Sequence, residues 1–164
     1  NGELRGDKHT IWNGGLNVPF IVRWPGHHQA GVTSPGLVST ADIFATLADA
    51  VTGKVPAANE AAPDSFSFLP LLKHPEKVSN RPHTVLRDAA GRQAVLFGDW
   101  KFVDDALPDG KSVEGPEAEI LFNLKSDPGE TTNVIERYPD VAAQGRQLLD
   151  SIRNQPASRG IQVP

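Results

Sequence analysis

The chain has no cysteine, which removes disulfides and thiol nucleophiles from consideration. The absence does not assign a compartment, because a disulfide-free protein is at home in reducing and oxidising surroundings alike. No apolar run approaches the roughly 18 residues that a bilayer-crossing helix needs, so no membrane span is expected. Basic residues are also in the minority: 16 Lys and Arg stand against 20 Asp and Glu, for a net charge of −4, and the five histidines are scattered. That balance lacks the basic stripe that neutralises duplex phosphates, so nucleic acid is not an expected partner. The first residues, Asn1, Gly2 and Glu3, have neither the basic nor the apolar region of a signal peptide. There is no internal repeat and no low-complexity tract.

What is present fits a globular protein. The 164 residues, 38% apolar and 22% charged, suffice for one ordinary domain or two small lobes. A chain of this length buries roughly 70% of its unfolded surface. Its organising stretch is residues 4 to 26, LRGDKHTIWNGGLNVPFIVRWPG. A basic, glycine-containing loop leads to the pair Gly14 and Gly15. An apolar, β-branched and aromatic run follows at residues 18 to 24, closed by Pro25 and Gly26. Such a run between turn formers predicts a buried strand, which would hold the preceding loop rigidly.

Farther on, Leu37, Ala41, Phe44, Ala48 and Val51 recur at helical spacing, predicting an amphipathic helix with these residues on its buried face. Ser39 or Thr40 is the expected cap, and Gly53 the stop. Residues 54 to 65, rich in Ala and Pro, read as an exposed linker and place the domain boundary at 62/63. An apolar knot follows at Phe66, Phe68, Leu69, Leu71 and Leu72, broken by Pro70 and expected to plug an interface between lobes. Short strand-like runs at residues 84 to 86, 93 to 97, 101 to 103 and 119 to 124, joined by brief turns, predict an antiparallel sheet. Residues 106 to 116 read as a mobile loop and residues 127 to 130 as a turn. A last helix starts at Pro139, with Val141, Gly145, Leu148 and Ile152 on the face that covers the sheet, and the tail from Gln155 is expected to fray.

Lys8 leads the candidate site residues. A lysine on a rigid, glycine-flanked loop ahead of a buried strand can present its ammonium to an anion and stabilise charge that develops in ester cleavage. His9 and Arg5 can widen that surface, and a histidine can also protonate a leaving group. The competing readings are a solvated lysine, a surface histidine and an arginine paired to a carboxylate. Gly14 and Gly15 are expected to serve backbone geometry, by positive φ or by close approach of another segment. His27 and His28 are adjacent but have no Cys or carboxylate cluster at metal-ligand spacing, so an exposed turn is expected. His83, near Arg81 and Arg87, is a candidate for pointing into a cleft. Asp104 and Asp105 suggest calcium weakly, since adjacent acids at a strand end are ordinarily solvated. No metal ligand is assigned. Trp12, Trp24 and Trp100 are expected to anchor packing.

The organising stretch resembles the segment written LRGGKGTxYEGGxRVPFIVRWPG in the formylglycine-dependent sulfatases, arylsulfatase-like members of the alkaline phosphatase superfamily. Other segments match that family's later motifs in order. Residues 39 to 53 resemble STxDIxPTLxxLAG, residues 65 to 72 dGxSxxPLL, residues 94 to 103 AVRxGxWKY and residues 120 to 134 LYDLxxDPxExxNL. The resemblance implies the end of a large α/β domain over residues 1 to 62, then a small antiparallel sheet packed by a C-terminal helix over residues 63 to 164. It also implies that the intact protein hydrolyses sulfate esters with calcium and formylglycine as cofactors, in an extracytoplasmic (periplasmic or secreted) location, and that Lys8 contacts the sulfate, with His9 beside it.

Neither the family's Cys-x-Pro/Ala-x-Arg signature nor a serine version of it is present, and its aspartate-rich calcium site belongs upstream. This chain alone is therefore expected to hold no cofactor and to be inactive. Asn13 and Asn17 stand where the family carries Glu and Arg, so any ion pair made there is absent. Two other readings remain open: a non-catalytic binding or assembly module, and a phosphate or phosphonate ester hydrolase of the same superfamily. If residues 18 to 24 are an interior strand whose neighbours are elsewhere, either self-association through that strand or disorder over residues 1 to 35 is expected.

Overall fold

The computed structural model describes residues 2 to 104 and 119 to 160; the expected loop at 106 to 116 and Asp105 lie outside them. The elements in order are α1 (Asn13–Leu16), α2 (Asp42–Thr52), α3 (Leu69–Lys73), β1 (His83–Arg87), β2 (Gln93–Phe97), β3 (Trp100–Asp104), β4 (Glu119–Asn123) and α4 (Pro139–Arg153). They divide into two compact units. One contains residues 1 to 19 and 83 to 153, the other residues 20 to 82 and 154 to 162, so the expected junction at 62 falls inside the second.

The first unit is built on an antiparallel meander, β1-β2-β3-β4, with every neighbouring pair adjacent in sequence. Phe97 pairs with Trp100 across a two-residue turn, and Gly98 there takes a φ of 55°, as the tight hairpins that suit strand twist require. Val95, Phe102 and Leu121 are register partners and share one face; Ala94, Val103 and Ile120 share the other. The first face lies under α4. Its Gly145 lets the helix approach so closely that a Cβ there would stand 2.6 Å from Phe102 Cβ. The buried residues of α4 are Ala142, Gly145, Leu148 and Leu149, while Val141 and Ile152 are only half-buried, so the covering face is turned slightly from the expected one. Ile11 and Trp12 pack on the second face, against Ala94, Val103 and Phe122. The N-terminal segment thus serves as a lid on a sheet that follows it by some seventy residues (83 − 12 = 71).

No strand forms at residues 18 to 24. They run as irregular backbone, with Val18, Phe20 and Ile21 exposed, Ile21 to 89%. The apolar run reads as a strand because its composition suits a sheet, yet a lone strand has no ladder to join. Residues 2 to 35 are turns, α1 and irregular backbone.

The second unit corrects another expectation. Helix α2 starts at Asp42 with Ala41 as its N-cap, one or two residues past the expected Ser39 or Thr40, and without a side-chain cap bond; Ser39 N donates to Asp42 Oδ2. Its buried residues are Asp42, Ala45 and Thr46, whereas Phe44 is 52% and Val51 83% exposed. The segment ahead of α3 lies along this polar face. Phe66 N donates to Asp42 Oδ1, Ala45 N to Ser65 Oγ, Phe68 N to Thr46 Oγ1, and Ser67 Oγ to Asp49 Oδ2. Arg81 closes the cluster with a bidentate pair to Asp42, at 2.8 Å and 2.6 Å, both side chains buried. Position periodicity located the helix correctly; hydrogen bonding decided which side faces inward. The tail is not frayed where it is described. Ser158 donates to Asp64 and Arg159 to the carbonyls of Pro56 and Pro63, tying it to the expected linker.

Candidate anion-binding loop

Residues 7 to 10 form a tight turn. Thr10 N and Thr10 Oγ1 both donate to Asp7 O, and Asp7 N donates back to Thr10 Oγ1. Lys8 and His9 are its two central residues. His9, at the third place of the turn, has a φ of 80°, a left-handed conformation that glycine adopts freely. The family pattern has glycine at this place; histidine there costs about 1 kcal/mol or somewhat more. His9 O accepts from Ala89 N, which fastens the turn to the β1–β2 connection. Lys8 is exposed, and no ion pair or hydrogen bond engages its ammonium among the described residues. His9 is exposed as well.

The glycine pair is explained by close approach and not by positive φ. A Cβ on Gly14 would stand 2.3 Å from Gly6 O, and one on Gly15 2.2 Å from Asp7 O. The loop therefore folds back onto α1, and Gly14 N donates to Arg5 O at 2.7 Å.

Beneath this loop lies a buried ion pair. Lys101 and Glu130 are both fully buried, and Nζ meets Glu130 Oε1 at 2.5 Å. The other Lys101 donors go to Ile11 O at 2.7 Å and Asn13 Oδ1 at 3.2 Å, so all three are satisfied. Glu130 Oε2 accepts Asn13 N at 2.6 Å, and Glu130 O accepts Arg5 Nη1 at 3.0 Å. Burial lowers the Lys101 pKa from its ordinary value, while the hydrogen bond and charge of Glu130 pull it back up. The turn that offers Glu130 is held by Asp127, whose carboxylate accepts from Thr131 N, Thr132 N and Thr131 Oγ1. Burial opposes the shift, but these bonds hold Asp127 below the usual carboxylate range.

Other candidates are placed elsewhere or spoken for. Arg5 is exposed; its guanidinium lies 3.6 Å from the Trp12 ring centroid, and its Nη1 donates to Glu130 O. Asn13 is buried, and its side chain completes the Lys101 site. Asn17 is exposed. His28 accepts from Trp24 N, its other ring nitrogen reaching Gln29 O, and His27 stacks on Trp24. Both histidines are thus used within their own turn. His83 is buried at the start of β1, and Arg81 belongs to the Asp42 pair. Asp104 pairs with Arg153 at 2.7 Å. Trp12 is buried edge-on against Phe122; Trp24 and Trp100 are only half-buried.

Lys101 and Glu130 are what sequence reasoning missed. A signal for Lys101 existed: a lysine inside an apolar strand buried on both faces needs an internal anion. Glu130 read as part of a turn, and its φ of 55° does make it one.

The family described as Sulfatase matches residues 1–53. An N-acetylgalactosamine-6-O-sulfatase of Bacteroides thetaiotaomicron is 32% identical over 160 residues, covering 93% of this chain and 30% of that protein. Human arylsulfatase K is 31% identical over 91% of this chain and 28% of its own length. A solved structure from work on glycosaminoglycan metabolism by Bacteroides thetaiotaomicron superposes with a TM-score of 0.79 at 31% identity, over 94% of this chain and 32% of its own. A Pseudoalteromonas sulfatase shares the fold at a TM-score of 0.74 and 22% identity, over 98% of this chain and 34% of its own. The chain spans about a third of the length of these relatives.

Proposed function

Because the chain belongs to the sulfatase family, we propose that it is the C-terminal part of an enzyme hydrolysing sulfate esters, with Lys8 as its contribution to the sulfate site. The observation that carries this reading is the Lys8 turn. It offers an unengaged ammonium on a frame closed by Thr10, by Ala89 and by the glycine pair. A fixed cation of this kind favours the charge that builds on sulfate oxygens as the ester bond breaks, at no cost of reorganisation. His9, next along the turn, is the second substrate-facing candidate.

Among the described residues, no three His, Asp or Glu side chains gather that could hold a metal ion. Nor is there a cysteine to oxidise to formylglycine. Calcium and formylglycine, cofactors of the intact enzyme in this reading, belong to residues outside this chain, and the chain by itself is inert. In this reading residues 1 to 62 complete the large α/β domain and residues 63 to 164 form the small subdomain; the family match ends at residue 53, while the two compact units divide the chain at 19/20 and 82/83 instead. The extracytoplasmic location belongs to the same reading. Among the described residues no helix is long and apolar enough to cross a membrane.

Val18, Ile21, Phe44, Leu47 and Val51, all exposed, support a further portion of protein that covers them. The departure at Asn13 does not favour a non-catalytic module, because Asn13 fills a structural place beside Lys101. The test is turnover of an aryl sulfate, with calcium, by the full-length protein and its Lys8→Ala variant. A loss of about 100- to 1,000-fold in kcat/KM is expected. Unchanged turnover would overturn the role of Lys8, and an inert wild type would overturn the enzyme.

A further inference from the structure

We infer that the buried pair Lys101 and Glu130 is the positioning device for the Lys8 turn, fixing where the lysine ammonium meets its sulfate. The inference rests on the role proposed for Lys8. The turn is flanked by Arg5 on one side and Asn13 on the other, and both are bound to Glu130. Arg5 Nη1 reaches its carbonyl and Asn13 N its carboxylate. Lys101 takes the same segment from below, through Ile11 O and Asn13 Oδ1. Gly14 N then closes the loop on Arg5 O.

No helix or strand spans residues 5 to 12, so no regular ladder sets their path. These polar contacts, with the packing of Ile11 and Trp12, set it instead. Stability does not by itself require the pair, since apolar residues of similar volume often replace a buried ion pair without loss. What apolar residues cannot reproduce is the directed grip on Asn13 N and Ile11 O. Glu130 and Lys101 are positioning residues in this scheme; they act on sulfate only through the loop.

The experiment uses the full-length enzyme with two variants, Lys101→Met/Glu130→Leu and Glu130→Asp. The first removes both charges together. The second keeps a charge opposite Lys101 but is one methylene too short to span Lys101 and Asn13, and aspartate tolerates the positive φ at this place. Thermal melting identifies which variants are folded, and kcat and KM are read for those. A displacement of the ammonium by roughly 1 Å predicts a fall in kcat/KM of about 100-fold. Each variant is then combined with Lys8→Ala, where the same substitution is expected to cost less than about threefold, because the group it positions is gone.

Folded variants with unchanged kcat/KM, or with losses that multiply fully with that of Lys8→Ala, would overturn the inference. Lys8→Ala turning over at the wild-type rate would instead remove the reading of Lys8 on which it stands.

Discussion

In the sheet unit, β2 to β4 bury apolar side chains on both faces, under α4 on one and under Ile11 and Trp12 on the other. In the second unit α2 buries Asp42, Ala45 and Thr46 and leaves Ile43, Phe44, Leu47 and Val51 to solvent. The first arrangement is what the hydrophobic effect produces when a core is complete within the chain. The second occurs when the inner side is satisfied by hydrogen bonds and the apolar side has no cover among the described residues. Amphipathic patterning reports that a helix has two unlike sides. It does not report which side its own chain covers.

The sharpest way to break this comparison is to delete the same side chain from each unit. Phe102→Ala, in the sheet core, is expected to destabilise the chain by about 3–5 kcal/mol. Phe44→Ala, on the exposed side of α2, is expected to stay within about 0.5 kcal/mol. Urea melts of the two variants decide it, and equal losses would mean that the α2 face is covered within the chain. A smaller effect concerns the Lys8 turn. His9→Gly relieves a positive φ and should raise stability by up to about 1 kcal/mol. If the same substitution also abolishes turnover in the full-length enzyme, His9 has a chemical part beyond its place in the turn. The smallest expected effect on stability comes from Phe44→Lys/Val51→Lys, which should leave the melt within about 0.5 kcal/mol. It should also reduce self-association of this chain in sedimentation. Association unchanged by it would direct attention to Val18 and Ile21, in the run first expected to self-associate.

The sheet was legible because local signals agreed with one another. Strand-length apolar runs, a Gly98-Asp99 turn and a proline-started last helix all describe a unit that folds on its own contacts. Residues 18 to 24 misled for the opposite reason: their composition suits a sheet, yet among the described residues they join none. The linker at 54 to 65 looked exposed because Ala and Pro carry no core signal, yet its carbonyls and Asp64 are what Ser158 and Arg159 grip. For the site, the glycine pair and Lys8 stood out by type and order. The support beneath them did not, because Glu130 lies 117 positions from the amide it holds. Spacing rules reach a few residues; ion pairs between distant segments leave no period.

That separation bears on how the protein is made. Synthesis runs from the N-terminus, so the Lys8 segment emerges early, while the residues that fasten it, Lys101 and then Glu130, emerge late. Until the turn at 127 to 130 has been translated, Asn13 N lacks its acceptor and Arg5 lacks its anchor. The Lys8 loop is accordingly among the last parts of this chain to take shape, and a ribosome stalled before residue 130 displays the lysine without the contacts that hold its loop.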